Sequence, residues 1–189
     1  MVCLGQERSN ILANEQLIYR IHLGFINAAE ATIQSSGQTL PINGHQTRKI
    51  EITGKTIGIL DVISPVVDYW SAYLDTESHL PLKTEMRKKE GRYRKEESVI
   101  FDHVNNTAKI SSPQNTPINK NLTLEPNTLD LIGGYFFLRD KPLGDMKIGQ
   151  KQKAKILVDG SVYEIWFIVK AFEKMESQWG LKNCIRTTL

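Results

Sequence analysis

Apolar and polar residues alternate along much of this chain, which is the pattern of a β-strand with one buried face. After Glu15, one side of such a strand carries Leu17, Tyr19, Ile21 and Leu23. Similar alternation recurs at residues 45–55, 66–75, 82–91, 92–104 and 161–169. The pattern predicts a mainly β, antiparallel fold, built as a strongly bent sheet or an incomplete barrel with one or two short helices.

Turn residues separate the alternating segments. The dipeptide Asp159-Gly160 suits a two-residue hairpin turn, and Gly91 breaks a pair of charged strands in a similar way. Residues 35–45 are rich in Gly, Ser, Pro and Asn and are predicted to be a turn, while residues 105–127 are predicted to be a long polar loop with one small strand. The last strand, at residues 180–189, either pairs with the strand at 17–23 or remains an open edge.

Two segments have helical spacing instead. In "TIGILDVIS", apolar residues recur every three positions, and Pro65 ends this short helix. In "NTLDLIGGYFFLRD", a helix is predicted over Thr128–Arg139, with Asn127 or Thr128 as its N-cap. Gly133 and Gly134 each weaken this helix by about 1 kcal/mol relative to alanine. Packing must therefore hold it, or another part of the chain must approach it closely.

Composition excludes several classes of protein. The chain has 189 residues, 40% of them hydrophobic, and a net charge of +3 from 24 basic and 21 acidic residues, as in a soluble single domain. The basic excess is too small to indicate a nucleic-acid partner, and no apolar run approaches the ~18 residues of a membrane span. The densest charged stretch, residues 87–97, alternates in sign and is interpreted as the wet face and edge of a meander, in preference to a charged binding patch.

No motif indicates a catalytic or metal site. The four histidines, His22, His45, His79 and His103, lie on separate elements without the spacing of metal ligands, and no cofactor is predicted. Cys3 and Cys184 lie near opposite ends of the chain, and a disulfide between them stays open.

Paired carboxylates for glycan chemistry also stay open, with Asp68, Asp75 and Asp102 as the residues to consider. Turn initiation accounts better for Asp75, and the end of a strand accounts better for Asp102.

Two charged residues stand in apolar or aromatic segments, where an unpaired charge would be costly to bury. Asp68 and Arg139 are predicted to form an ion pair that ties the helix end to the sheet, and Arg139 also suits a helix C-terminus. The alternative is that Arg139 binds an anionic ligand.

Four aromatic residues are candidates for an apolar ligand site. Trp70, Tyr73, Tyr135 and Phe136 are predicted to meet where the helix covers the sheet. They line an apolar cavity in one interpretation and belong to a plain core in the other.

Three stretches together resemble a known bacterial family. "SPVVDYWSAYLDTESHLPLKTEMRKKEGRYRKEESVIFD" is similar to the D-x-x-x-S-Y-x-D-x-x-T-x-x-P, K-x-E-G-x-Y and V-x-F-D pattern of domain of unknown function 3108. "TLDLIGGYFFLRDKPLGDMKIGQ" resembles its helix motif, and "QWGLKNCIRTTL" resembles its late Gly-x-x-x-C/T-I strand. The resemblance covers residues 15–189.

The resemblance implies an exported cell-envelope protein with a YmcC-like fold, located in the periplasm or at the outer membrane, and it assigns no reaction. Residues 1–14 form a stub that could be the remnant of a signal peptide, and residues 15–189 form a single β domain. The family usually continues beyond the motif at Gly180, which leaves open whether the domain is truncated at its C-terminal end.

The function predicted is a non-catalytic binding or assembly module for an amphiphilic ligand, a glycan or an envelope protein. A glycan-acting enzyme and a purely structural component are the alternatives.

Overall fold

A computed structural model describes residues 2–3, 13–113, 118–141, 145–177 and 180–188 of the chain. Strands account for 68% of the residues, and the two helices are short. The large sheet is antiparallel and is not closed into a barrel. The predicted fold class is therefore confirmed.

The elements follow one another in an order dominated by strands. The strands are β1 (Val2–Cys3), β2 (Gln16–Leu23), β3 (Ile26–Ile42), β4 (His45–Thr56), β5 (Val66–Asp75), β6 (Pro81–Glu90), β7 (Tyr93–Asp102), β8 (Thr107–Ser112), β9 (Ile118–Thr123), β10 (Lys151–Val158), β11 (Ser161–Ser177) and β12 (Gly180–Thr188). The helices are α1 (Ile59–Ile63), between β4 and β5, and α2 (Leu131–Arg139), between β9 and β10.

Strands β2 to β9 form an eight-stranded meander in which each strand pairs with the next along the chain. Tight turns with left-handed backbone make this possible. Asn43 and Gly44, with φ of 49° and 84°, connect β3 to β4 in this sheet. A similar turn outside the meander, at Asp159 and Gly160 with φ of 47° and 75°, connects β10 to β11. The hairpin predicted at Asp159-Gly160 is therefore present, with Val158 directly opposite Ser161.

Two segments predicted to be turn or loop are strands. Strand β3 runs on through most of residues 35–45 and turns only at Asn43, because an irregularity between Ser35 and Thr39 absorbs the turn-forming residues without ending the pairing with β4. Residues 107–123 contain both β8 and β9, although residues 114–117 lie outside the described part.

The second sheet has the strand order β1-β12-β11-β10. Strand β12 pairs with β11 along its length and, on its other side, with Val2–Cys3. The predicted pairing of the last strand with the strand at 17–23 is therefore wrong, and on this side β1 pairs with only Cys184 and Ile185 of β12.

Helix α2 packs between the two sheets. On one side, Ile132 and Phe136 contact Ile50 and Leu74, on the face of the large sheet that we call the inner face. On the other side, Gly134 faces β10 so closely that an added Cβ would lie 2.6 Å from Ile156 Cδ1. Gly134 therefore weakens α2 intrinsically but allows β10 of the second sheet to approach it closely. A close approach by another part of the chain was one of the two explanations that the sequence allowed.

The N-cap of α2 is Asp130, and not Asn127 or Thr128. Its carboxylate accepts hydrogen bonds from the backbone N–H groups of Ile132 and Gly133, at 3.2 and 2.8 Å. The helix therefore begins three residues later than predicted. Neither helix in the described part of the chain is long and apolar enough to cross a membrane.

Candidate functional site

The structure brings three of the four candidate aromatic residues together beneath α2. Phe136 is fully buried in the core on the inner face, and Trp70 and Tyr135 pack against that core half-buried. The rings of Tyr135 and Phe136 meet edge to face, with their centroids 5.1 Å apart. Phe136 is thus core, while Trp70 and Tyr135 remain accessible at its edge.

Tyr135 also links α2 to the outermost strand. Its hydroxyl shares a hydrogen bond of 2.8 Å with the hydroxyl of Tyr19 on β2. Burial and this hydrogen bond raise the pKa of Tyr135 above its ordinary value. The contact fixes the ring at the open side of the helix.

Tyr73 lies on the opposite, outer face of the sheet and takes no part in this cluster. The ammonium groups of Lys49 and Lys83 lie 5.8 and 5.4 Å from its ring centroid. Trp70 and Tyr73 are three positions apart, and successive side chains of a strand point to opposite faces, so the two cannot share one face. Tyr73 is therefore removed from the candidate ligand site.

The outer face around Tyr73 is a network of charges and aromatic rings. Lys49 Nζ lies 2.7 Å from Glu51 Oε1, and the Tyr69 hydroxyl donates to the same oxygen at 2.6 Å. The hydrogen bonds from Lys49 and Tyr69 lower the pKa of the Glu51 carboxyl. This network satisfies its own charges and is structural.

Arg139 forms its ion pair with Glu15 and not, as predicted, with Asp68. The guanidinium donates two hydrogen bonds to the carboxylate, at 2.8 and 2.7 Å, which is the bidentate geometry that Arg favours. Asp68 accepts instead from the backbone N–H of Lys89, at 3.2 Å. The end of α2 lies beside the start of β2, which no local sequence pattern reveals.

A cleft of about 300 Å³ opens beside the first turn of α2, and we call it the Trp70 cleft. It lies between the inner face and the turn that joins β10 to β11. Its apolar lining consists of Ile52, Trp70, Met86, Val99, Phe101, Ile110, Leu131, Ile132, Leu157 and Val158. The cleft therefore continues the core outward to a surface that solvent reaches.

Charged groups border this apolar lining. Lys88 Nζ lies 5.6 Å from the Trp70 ring centroid, and Lys95 Nζ contacts both Glu97, at 3.3 Å, and Asp159, at 2.7 Å. The side-chain hydrogen bond from Lys95 lowers the pKa of Asp159. An apolar cleft with a charged border suits a molecule that has both an apolar and a polar part.

Asp130 is the most perturbed carboxyl group of the cleft. Its burial raises its pKa to about 6, against the opposing effect of the backbone N–H groups of Ile132 and Gly133 that it caps. The helix cap accounts for its position, since both carboxylate oxygens accept from that first turn.

Comparison with known proteins gives one finding. The family model described as "Protein of unknown function (DUF3108)" matches residues 18–189. The chain belongs to this family. No curated protein matches it, and no solved structure matches it. The family resemblance drawn from three stretches of sequence is thereby confirmed, and the site has to be interpreted from its own geometry.

This DUF3108 protein has a second, larger cleft of about 710 Å³ near the C-terminal end of α2. His79 Nδ1 lies 2.7 Å from Asp140 Oδ2 there, which joins the turn after β5 to the C-cap of the helix. Lys141 Nζ lies 4.0 Å from the Phe137 ring centroid. Sequence reasoning missed the His79–Asp140 pair, because 61 residues separate its members and only the tertiary fold joins them.

Two further lysines line the second cleft with their charges already paired. Lys153 pairs with Glu164, and Lys155 pairs with Glu125. In the described residues of this DUF3108 protein, no group of three or more His, Cys, Asp or Glu side chains is placed to hold a metal ion. The Trp70 cleft, with its apolar lining, is the stronger candidate for a ligand site.

Proposed function

We propose that this DUF3108 protein is a non-catalytic binding module that holds the apolar part of an amphiphilic ligand in the Trp70 cleft. The observation that carries the proposal is the combination, in one cleft, of a lining dominated by apolar side chains with a border of charged groups. A concave, mostly apolar lining with a few polar groups at its border is typical of ligand sites.

Leu131 is the residue that best distinguishes a binding site from a core. It lines the cleft from the first turn of α2 and keeps 56% of its surface exposed. Its neighbour Ile132 is buried in the core. An alkyl chain that covered Leu131 and Trp70 would remove apolar surface from water, and each Å² removed would favour binding by roughly 25 cal/mol.

The size and the border of the cleft define the ligand class. A volume of about 300 Å³ is at the lower end for ligand pockets, which suits one alkyl chain or one ring system better than a whole two-chain lipid. Lys88 and Lys95 would lie near the polar part of that ligand. A sugar on the ligand would meet the Lys88 ammonium as a donor and the carboxylates of Glu97 and Asp159 as acceptors at the same border.

The absence of catalysis is part of the proposal, and it draws on the partners of the carboxylates. Glu97 and Asp159 contact Lys95, and Asp130 caps α2. Carboxylates committed in this way suit the positioning of a ligand better than proton transfer to a sugar.

Location and fold type belong to the proposal as well. An exported protein of the cell envelope, in the periplasm or at the outer membrane, fits a module that binds amphiphiles, and so does a YmcC-like fold. Support for both comes from the sequence resemblance described above. Amphiphilic ligands are abundant in such a compartment.

Titration of the purified protein with monomeric laurate and with dodecyl maltoside, followed by calorimetry, tests the proposal. We expect saturable binding of at least one of them, which Leu131→Asp abolishes because it places a charge in the apolar lining. Val104→Asp is the matched control, since Val104 is also an exposed aliphatic residue and lies on the turn between β7 and β8. Equal binding by both variants, or none by the parent protein, would refute the assignment.

A further inference from the structure

One end of the large sheet carries an unusual concentration of exposed apolar side chains. The turn between β2 and β3 and the helix α1 lie side by side there, since the Ile57 N–H donates to the Ala28 carbonyl at 3.1 Å. We call the resulting surface the apolar tip. Its members are Leu23, Phe25, Ile26, Ile59, Val62 and Ile63.

The exposure of the apolar tip is too complete to belong to a core. Phe25 is fully exposed, and Val62 and Ile63 are 84% and 70% exposed. Helix α1 has five residues, four of them aliphatic, and none is buried. Single exposed apolar residues are common, but six on two adjoining connections form a contiguous patch, which marks an interaction surface.

A basic hairpin adjoins the apolar tip. The turn between β6 and β7 is fixed to the segment that follows α1, because the Gly91 N–H donates to the Pro65 carbonyl at 2.9 Å. Residues 88–94 of this hairpin include four basic residues and one acid, Glu90. Lys89, Arg92 and Arg94 are exposed.

The topology corrects part of the interpretation of residues 87–97, which placed these charges at the edge of a meander. Strands β6 and β7 lie in the middle of the eight-stranded sheet, so the charges do not guard an edge. On the outer face, Arg87 packs over the Tyr69 ring, 4.7 Å from its centroid. The charges near the turn, in contrast, extend to the end of the sheet that carries the apolar tip.

We propose that this end of the molecule docks on an anionic lipid surface, with the apolar tip inserted among the lipids and the basic hairpin against their head groups. Charge complementarity decides between possible partners. Apolar side chains beside exposed Lys and Arg, with Tyr93 at 53% exposure between them, match the layered chemistry of an anionic bilayer surface. Asp61, the acid within α1, accepts from the Thr56 hydroxyl at 3.2 Å.

Docking in this way adds a role beyond ligand binding. The inner face continues from Trp70 toward the apolar tip through Gly54 and Thr56, as the pairing of β4 with β5 and with β3 shows. A protein docked by this end holds the Trp70 side of its inner face toward the membrane. An amphiphile could then pass between the bilayer and the cleft without crossing the whole molecule.

Co-sedimentation with vesicles tests the proposal. We expect the protein to bind vesicles that contain phosphatidylglycerol and phosphatidylethanolamine better than vesicles of phosphatidylcholine, and to bind less as salt rises. Phe25→Ser should weaken the partition coefficient roughly tenfold through lost apolar burial. Arg92→Gln should weaken it about fivefold on the anionic vesicles alone.

Two controls make the result specific. Val104→Ser removes another exposed apolar side chain, which is 88% exposed, from the turn at the opposite end of the sheet, and this variant should bind as the parent protein does. Leu131→Asp should lose the amphiphile in the Trp70 cleft but keep vesicle binding. The proposal would be overturned by equal binding to neutral vesicles, or by a Phe25→Ser variant that binds as the parent protein does. It would also be overturned if the parent protein does not bind vesicles and instead forms a dimer that Phe25→Ser converts to a monomer.

Discussion

At the scale of single residues, Asp130 combines a favourable contact with an electrostatic cost. Its carboxylate caps α2, yet it is buried beside the apolar lining of the Trp70 cleft, and burial raises its pKa from 3.8 to about 6. A raised pKa means that the folded protein holds this proton more tightly than the unfolded chain does. The proton on Asp130 therefore contributes to the stability of the fold, and this contribution is fully present below about pH 4 and is lost as the pH rises through about 6.

The first prediction follows for Asp130→Asn, which keeps a good N-cap and cannot ionise. The free energy of unfolding of this variant, measured relative to that of the parent protein, should rise by up to about 3 kcal/mol from pH 4 to pH 7. Urea unfolding of both proteins at the two pH values measures the difference. A difference that is the same at both pH values would show that the Asp130 carboxyl is not perturbed.

The second prediction concerns the partner of Arg139. The bidentate contact with Glu15 has both side chains more than four-fifths covered, so Arg139→Ala should cost about 1.5–3 kcal/mol of unfolding free energy. A double-mutant cycle with Glu15→Gln should give a coupling energy of the same order. The matched cycle with Asp68→Asn should give almost none, and a larger coupling with Asp68 would contradict the contacts described here.

Residue-level prediction from the sequence was correct only in part. The demand that Arg139 find a partner was correct, but its identity required the fold, since Glu15 lies 124 residues away. The separation of Trp70 from Tyr73, in contrast, follows from strand alternation alone. The sequence contained that signal, and the grouping of the four aromatic residues overlooked it.

At the scale of elements, α2 depends on its glycines. Gly134 is a poor helix former that lies against Ile156 of β10, and the 2.6 Å approach leaves no room for a methyl group. Ile156 is buried, so its side chain has little freedom to move away. Tertiary packing therefore outweighs intrinsic propensity at this position.

The third prediction is that Gly134→Ala destabilises the protein, although alanine favours a helix by about 1 kcal/mol. Ile156→Val removes the Cδ1 atom in conflict, at a cost of about 0.5–1.5 kcal/mol by itself. In the Ile156→Val background the Gly134→Ala change should become neutral or stabilising. Urea unfolding of the four proteins measures this, and an equal penalty in both backgrounds would contradict the packing described.

Element boundaries were predictable where one signal acted alone. Pro65 and the Asp159-Gly160 turn gave correct limits, because proline and left-handed turn residues constrain the backbone directly. Residues 35–42 were misassigned, because the same turn-forming residues also fit an irregular strand. The pairing with β4, which continues through Ile42, decides between the two.

At the scale of the whole molecule, the arrangement is two antiparallel sheets with one short helix between them. The helix fills part of the inner face and leaves the Trp70 cleft at its N-terminal side and a larger cleft at its C-terminal side. The sequence predicted a covering helix and an aromatic junction. It could not predict the division into two sheets or either cleft, because both depend on long-range packing around Ile156 and Leu157.

The most direct test of the ligand site uses side chains that the protein already carries. In NMR spectra, a spin-labelled C12 fatty acid, added below its micelle concentration, broadens the signals of nearby protons. Trp70 and Met86 line the cleft, whereas Trp166 and Met175 lie on β11 and are partly exposed, so each probe has a control of its own kind. A fatty acid bound in the Trp70 cleft should broaden the Trp70 indole and Met86 methyl signals first and leave those of Trp166 and Met175 unchanged. Broadening of Trp166 and Met175 alone, or equal broadening of all four, would contradict binding in this cleft.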